Sequence, residues 1–325
     1  MDVGAIPSTA PSGRNVLRNH LRLSQAVIIW LIVLLLVVAA SLLSPAFLRT
    51  RNVLNVLRQA ATLGIISVGQ TVVVLSGGAD LSQATVMTLS AVVAFKYLGG
   101  EDSMIAPIIV MCLALGGAIG ACNGVMVSKI KVPPFLMTLG TRTVVFGLAL
   151  MFTKGAPQGH TTPLFRAVLG QTYWLGIPGQ VLIWALVVIL GWLLLAKTTF
   201  GRRLYAVGGN PRASRLAGVK VDGVLIVAYA LSGILAALGG LVLGARSGNA
   251  DNVMGNGYEL NAIAAVVIGG TSFAGGRGGV MGTVGGVLMM TVLQNLLNIL
   301  GVSPHAYLIA MGIVIIAAVV SLRHE

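Results

Sequence analysis

The sequence predicts an all-α polytopic membrane protein of about ten transmembrane helices, some interrupted into half-helices, with one short helix on the cytoplasmic side. Three observations carry this. Of 325 residues, 56% are hydrophobic and 9% charged, where a soluble domain carries about a quarter charged residues. Mean hydropathy is +0.94, more apolar surface than a water-soluble core of this size can hide. The apolar residues also fall in runs near the ~20 residues that cross hydrocarbon, broken by Pro, Gly and charge clusters. A soluble globular enzyme is excluded.

Residues 1–24 read as a polar, basic cytoplasmic tail. They carry no small-residue cleavage site, so the first apolar run reads as a retained helix. Spans are expected at 25–43, 56–76, 80–98, 104–128, 133–152, 179–196, 223–244, 259–274, 279–300 and 304–321. Together they form one transmembrane domain, 25–322, with a polar loop at 197–222 and a short end at 323–325. An even number of spans puts both termini on one side. That side collects thirteen basic residues, among them Arg14, Arg18, Arg22, Lys129, Lys131, Lys197, Lys220, Arg277 and Arg323. The other side collects six: Arg49, Arg51, Arg58, Lys154, Arg166 and Arg246. The imbalance places both ends in the cytoplasm. Arg49, Arg51 and Arg58 sit on the sparser side, where Leu54, Val56 and Leu57 can form an interfacial helix. The net charge of +13 is thus a matter of orientation in the bilayer rather than nucleic-acid binding.

Small residues imply close helix packing: Gly116, Gly120 and Gly124 share one helical face, as do Gly240 with Gly244 and Gly282 with Gly286. Cys112 and Cys122 lie ten residues apart in one run, too far along a helix to bridge, and read as packing residues.

Two segments look like broken helices. Gly77 and Gly78 end one run, and Asp80 stands three residues before Gln83, the spacing of an N-cap with its reciprocal partner. A carboxylate near bilayer depth must face protein or water, so Asp80 is either a structural cap or part of a solute path. The second break runs from Gly269 to Gly279. It lacks the lysine and hydroxyl residue of a phosphate-cradling loop, and no Walker signature occurs elsewhere. Within 197–222, Asn210 can cap, Pro211 suits the first helical position, Arg212 to Ala217 supply about two turns, and Gly218 can end the helix left-handed. This short helix is either a plain connection or a lever for a soluble partner.

Polar residues inside the spans include Gln70, Asn123, Arg142, Asn261, Gln294, Asn295 and Asn298, with Gln294 and Asn298 on one face. Interhelical hydrogen bonding accounts for amides without any solute. Arg142 needs a counter-charge, a carbonyl or water, and marks either a pathway or an ion pair. His20, His160, His305 and His324 are scattered, with no metal spacing or nucleophile motif.

Five stretches then resemble, in order, a known family. They are Gly77-Gly78-Ala79-Asp80-Leu81-Ser82; Val132-Pro133-Pro134-Phe135 through Leu139-Gly140-Thr141; Gly201 through Gly208-Gly209-Asn210; Leu216-Ala217-Gly218-Val219; and Val267-Ile268-Gly269-Gly270-Thr271 through Gly276-Arg277-Gly278. The chain from about residue 50 is similar to the permease subunit of bacterial ribose-type sugar ABC importers. The resemblance implies a multi-pass protein of the bacterial inner membrane that moves a monosaccharide from periplasm to cytoplasm by alternating access. It also implies a second permease copy, identical or paralogous, a periplasmic sugar-binding protein, and a cytoplasmic ATP-binding subunit. ATP and Mg would then be bound by that subunit, and no cofactor by this chain. Coupling to the ATPase would fall to Arg202, Arg203, Gly208, Gly209, Asn210, Pro211, Arg212, Ala213, Arg215, Leu216 and Gly218. The translocation path would draw on Asp80, Gln83, Asn123, Arg142, Asn261, Thr271, Gln294 and Asn298. The family pattern usually continues Val-Gly-Ser where this chain has Gln83, Ala84 and Thr85, and commonly has arginine at Phe146. The solute therefore stays open, with a nucleoside, a branched-chain amino acid or a furanose-like signal as alternatives. An ion-coupled secondary transporter would have only Asp80 and Glu259 to titrate.

Overall fold

The computed structural model describes residues 25–156, 159–171, 173, 174, 176–303, 309, 312 and 313. The expected tail 1–24, the end 323–325 and most of the tenth span, 304–321, lie outside the described residues. The helices are α1 (Gln25–Leu43), α2 (Thr50–Leu75), α3 (Gln83–Leu98), α4 (Ile105–Ser128), α5 (Pro134–Thr153), α6 (Gly179–Lys197), α7 (Thr199–Gly209), α8 (Pro211–Leu216), α9 (Val221–Ser247), α10 (Tyr258–Ile268) and α11 (Val280–Ile299). Between α5 and α6 lie a one-turn helix, Pro163–Arg166, and an antiparallel pair of two-residue strands, Tyr173–Trp174 with Ile177–Pro178. Each of the first nine expected spans contains a helix. Among the described residues six of them are long and apolar enough to cross a membrane: α2, α4, α5, α6, α9 and α11. The apolar helices Val27–Leu43, Gln83–Leu98 and Tyr258–Ile268 are shorter. This is an all-α membrane protein.

α2 is the central post, with every residue from Ala60 to Leu75 buried, while α5 buries only Thr138, Val145, Ala149 and Thr153. That contrast explains the composition of α2. A helix encased by protein tolerates Ser67, Gln70 and Thr71, all fully buried, whereas the outward face of α5 shows Leu136, Val144 and Met151 to lipid. The expected interfacial segment around Arg49 to Arg58 forms the first turns of α2. α2 runs unbroken from Thr50, because the stretch holds no proline and Val56 is drawn into a cluster with Ala40, Phe47, Val292 and Leu296. Asn52 and Asn295 exchange amide hydrogen bonds of 2.9 Å and pin α2 to the end of α11.

The glycine faces work as expected. A side chain on Gly116 or Gly120 would strike the backbone of α9 at Gly233 or Tyr229, and one on Gly124 would strike Ile226. Gly233 returns the contact to Gly116. Gly240 meets the Met87 carbonyl of α3, Gly282 meets Gly269 just past the end of α10, and Gly286 meets Ala265 of α10. Of the two cysteines, Cys112 is buried and Cys122 exposed, and both are free.

Gly120→Leu is therefore expected to lower stability by about 1–3 kcal/mol through overpacking. Gly147→Leu, where an added Cβ meets nothing, should leave it near wild type. Thermal unfolding in detergent checks both.

Candidate functional site

The first break places a carboxylate inside the protein. α2 ends with Gly77 at φ +82, its N–H on Val74 O, while Gly78 N–H reaches Val73 O. The chain then turns back, and α3 starts at Gln83 with Ser82 as N-cap. The expected N-cap at Asp80 is thus displaced by two residues, because the Asp80 carboxylate serves a wider network. Oδ1 accepts from the Ser82 N–H (3.0 Å) and hydroxyl (2.6 Å), and Oδ2 accepts from Ser232 of α9 (2.6 Å). Gln83 donates to the Ile66 carbonyl (3.2 Å) and the Ser232 hydroxyl (2.9 Å). Asn123 of α4 donates to Ser82 (3.0 Å) and accepts from Thr141 of α5 (2.6 Å). Asp80, Ser82, Gln83, Asn123 and Ser232 are all buried. The network joins α2, α3, α4, α5 and α9, and supplies the donors a buried carboxylate requires.

The second break packs against the first. Thr271 is buried, and its hydroxyl accepts from Gly279 N–H (3.3 Å). Gly276 N–H donates to the Leu75 carbonyl at the end of α2 (2.9 Å). Gly208, near the end of α7, fits between them: any side chain there would overlap the Leu75 carbonyl and crowd Gly276. Gly275 in turn faces Gly208 and Gly77. Tyr205 of α7 donates to the Gly278 carbonyl (2.9 Å), and a cavity of about 450 Å³ opens beside it, lined by Trp192, Leu195, Arg277 and Gly279. Both broken segments and α7 therefore share one backbone junction.

α8 forms as its residues predict. Asn210 Oδ1 accepts from Ala213 N–H (2.9 Å), Pro211 opens the helix, and Gly218 at φ +80 closes it as Val219 N–H reaches Ser214 O. Arg202, Arg203, Gly209, Pro211, Arg212, Ala213, Arg215 and Leu216 are exposed. Asp222 pairs with Arg215 (2.7 Å) and Lys131 (3.6 Å), tying α8 to the α4–α5 turn.

The other expected path residues scatter. Arg142 of α5 finds its counter-charge in Glu259 of α10, 2.9 Å away. Asn261 lies half-buried on the first turns of α10. Gln294 and Asn298 lie at the far end of α11, the latter exposed, away from Asp80. Sequence reasoning missed Ser82, Thr141 and Ser232, which are ordinary small residues until the fold brings them to Asp80. It also missed α7, although Leu204, Val207 and Gly208 form a buried stripe at helical spacing.

Interrupted helices, a buried polar network and an exposed capped helix define a membrane permease component. The chain belongs to the family described as "Branched-chain amino acid transport system / permease component", which matches residues 52–319. It is 45% identical over 287 residues to the Bacillus subtilis ribose import permease protein RbsC, covering 88% of each chain. It is 40% identical over 312 residues to the Escherichia coli K12 RbsC, covering 95% of this chain and 96% of that one. To the E. coli K12 galactose/methyl galactoside import permease protein MglC it is 35% identical over 311 residues, 90% and 92% covered. No solved structure matches.

Ser232→Ala removes one donor to Asp80 and an acceptor for Gln83, and is expected to cost about 1–3 kcal/mol. Ser247→Ala, on the exposed end of the same helix, should cost under about 0.5 kcal/mol. Unfolding in detergent distinguishes them.

Proposed function

We propose that this chain is the permease subunit of an ATP-driven importer that carries a monosaccharide from periplasm to cytoplasm across a bacterial inner membrane. The observation that carries the reading is end-to-end similarity to ribose and galactose import permeases, at 35–45% identity. The chain serves as the gate and performs no hydrolysis. ATP and Mg belong to a cytoplasmic partner, a periplasmic binding protein delivers the sugar, and a second permease copy completes the path. Ten spans with both termini in the cytoplasm fit the basic-residue imbalance, and that orientation puts α7 and α8 on the cytoplasmic side.

In this reading α8 is the grip for the ATPase. Leu216 is 86% exposed, an apolar side chain set between Arg212, Arg215 and Gly218 on a polar loop. A rigid, capped helix with one unpaired apolar knob suits docking into a partner's groove. Motion of α8 passes to α7 and, through Gly208, to the backbone of both broken segments. The spans then rock between inward and outward openings. Asp80, Gln83, Asn123 and Thr271 hold those segments, and the solute passes beside them.

The test is uptake of labelled ribose and galactose into vesicles holding the permease, its ATPase and external binding protein. ATP-dependent uptake is expected. Leu216→Asp should reduce it at least tenfold and abolish co-purification of the ATPase, with unfolding temperature unchanged because the side chain is exposed. Normal uptake by that variant would remove α8 from the coupling role.

A further inference from the structure

The Arg142–Glu259 pair is built differently from a sealed structural bridge. Glu259 is the second residue of α10, 1% exposed, and its Oε1 takes the Arg142 guanidinium at 2.9 Å. Its other oxygen, Oε2, is buried with no hydrogen-bond partner. An arginine has five N–H donors and commonly meets a carboxylate with two parallel bonds. Here one contact is made, the second carboxylate oxygen is left bare, and the Arg142 side chain stays 32% exposed. A buried acceptor without a donor is costly, and such atoms in folded proteins call for an explanation.

The surroundings say what can reach it. Arg142 lies about 12 Å along α5 from Pro134, near the middle of a 20-residue helix. α10 is a half-helix of 11 residues whose start is held deep in the protein, since Gly255 N–H donates to Thr88 of α3 (3.1 Å) and packs on the Ala84 carbonyl. Half-helix ends at such depth are where transporters place solute sites. Space borders the start of α10, where an added Cβ at Gly257, two residues before Glu259, would meet no atom within 4 Å. Thr143 beside Arg142 is exposed as well. A guanidinium at that depth does not face lipid, so the exposed part of Arg142 faces water or another protein surface.

We infer that Arg142 and Glu259 form a neutral clamp for two neighbouring hydroxyls of the solute in transit. One hydroxyl donates to Glu259 Oε2, and its neighbour accepts from a free guanidinium N–H of Arg142. Because the two charges cancel, the clamp selects an uncharged polyol. A solute carboxylate meets Glu259, and a solute ammonium meets Arg142. This assignment rests on the sugar-permease reading and adds the group that recognises the solute inside the membrane.

The test uses the complete reconstituted complex, with uptake of labelled D-ribose compared with its 2-deoxy and 3-deoxy analogues. The binding protein is the same throughout, so its own preferences cancel when variants are compared. In the wild type one analogue should be carried at least about tenfold more slowly than ribose. In Glu259→Gln ribose uptake should fall by about that factor while the same analogue changes less than about threefold, so that discrimination collapses. The double variant Arg142→Leu/Glu259→Leu removes both charges together, which buried pairs tolerate in folding. It should purify as wild type and discriminate no better than Glu259→Gln. Equal slowing of ribose and both analogues in the variants, or unchanged discrimination, would reduce the pair to a structural brace and overturn the clamp. If the wild-type complex carries no sugar at all, the permease reading itself fails, and the clamp with it.

Discussion

The contact on which this architecture turns is made by three backbone segments at one point. The Leu75 carbonyl at the end of α2 accepts from the Gly276 N–H in the second break, and Gly208 of α7 fits against both with no room for a side chain. Backbone groups freed by a broken helix must be satisfied by protein when they lie at membrane depth. Here each break helps satisfy the other. The loop outside the spans is packed into the same junction, so it cannot shift without moving the ends of α2 and α10.

From that junction the polar interior extends upward as a chain of hydrogen bonds. Asp80 lies three residues beyond Gly77 in the break and is held by Ser82 and Ser232, with Gln83 and Asn123 continuing the network to α2, α4 and α5. Such a network is worth making only where water is excluded, and Asp80 is fully buried. Its effect is to fix the register of α3 and α9 against α2. The close α4–α9 packing at Gly116, Gly120 and Gly233 does the same by shape. Polar pairing and glycine packing thus make one rigid body on the α2 side, while α5 and α6 show their apolar faces outward.

Much of this was legible in the residues. Long apolar runs announce themselves, and each of the first nine contains a helix. The caps of α8 could be read from Asn210, Pro211 and Gly218 because capping is local. What could not be read was whatever depends on partners distant in sequence. Arg142 plainly required a counter-charge, yet nothing local chose Glu259. Ser232 looks like any small residue between Leu231 and Gly233 until the fold sets it against Asp80. α7 was overlooked because its basic residues mask a narrow buried stripe of Leu204, Val207 and Gly208. The start of α3 slipped by two residues because a tertiary network claimed the carboxylate that local rules assign to capping.

The most direct measurement of the central claim compares Gly208→Ala with Gly209→Ala in the reconstituted complex, reading ATP hydrolysis and sugar uptake on the same vesicles. A methyl group at Gly208 would overlap the Leu75 carbonyl, whereas at Gly209 it meets nothing. The account predicts that the Gly208 variant hydrolyses ATP without accumulating sugar while the Gly209 variant does both. Wild-type uptake by the Gly208 variant would contradict it.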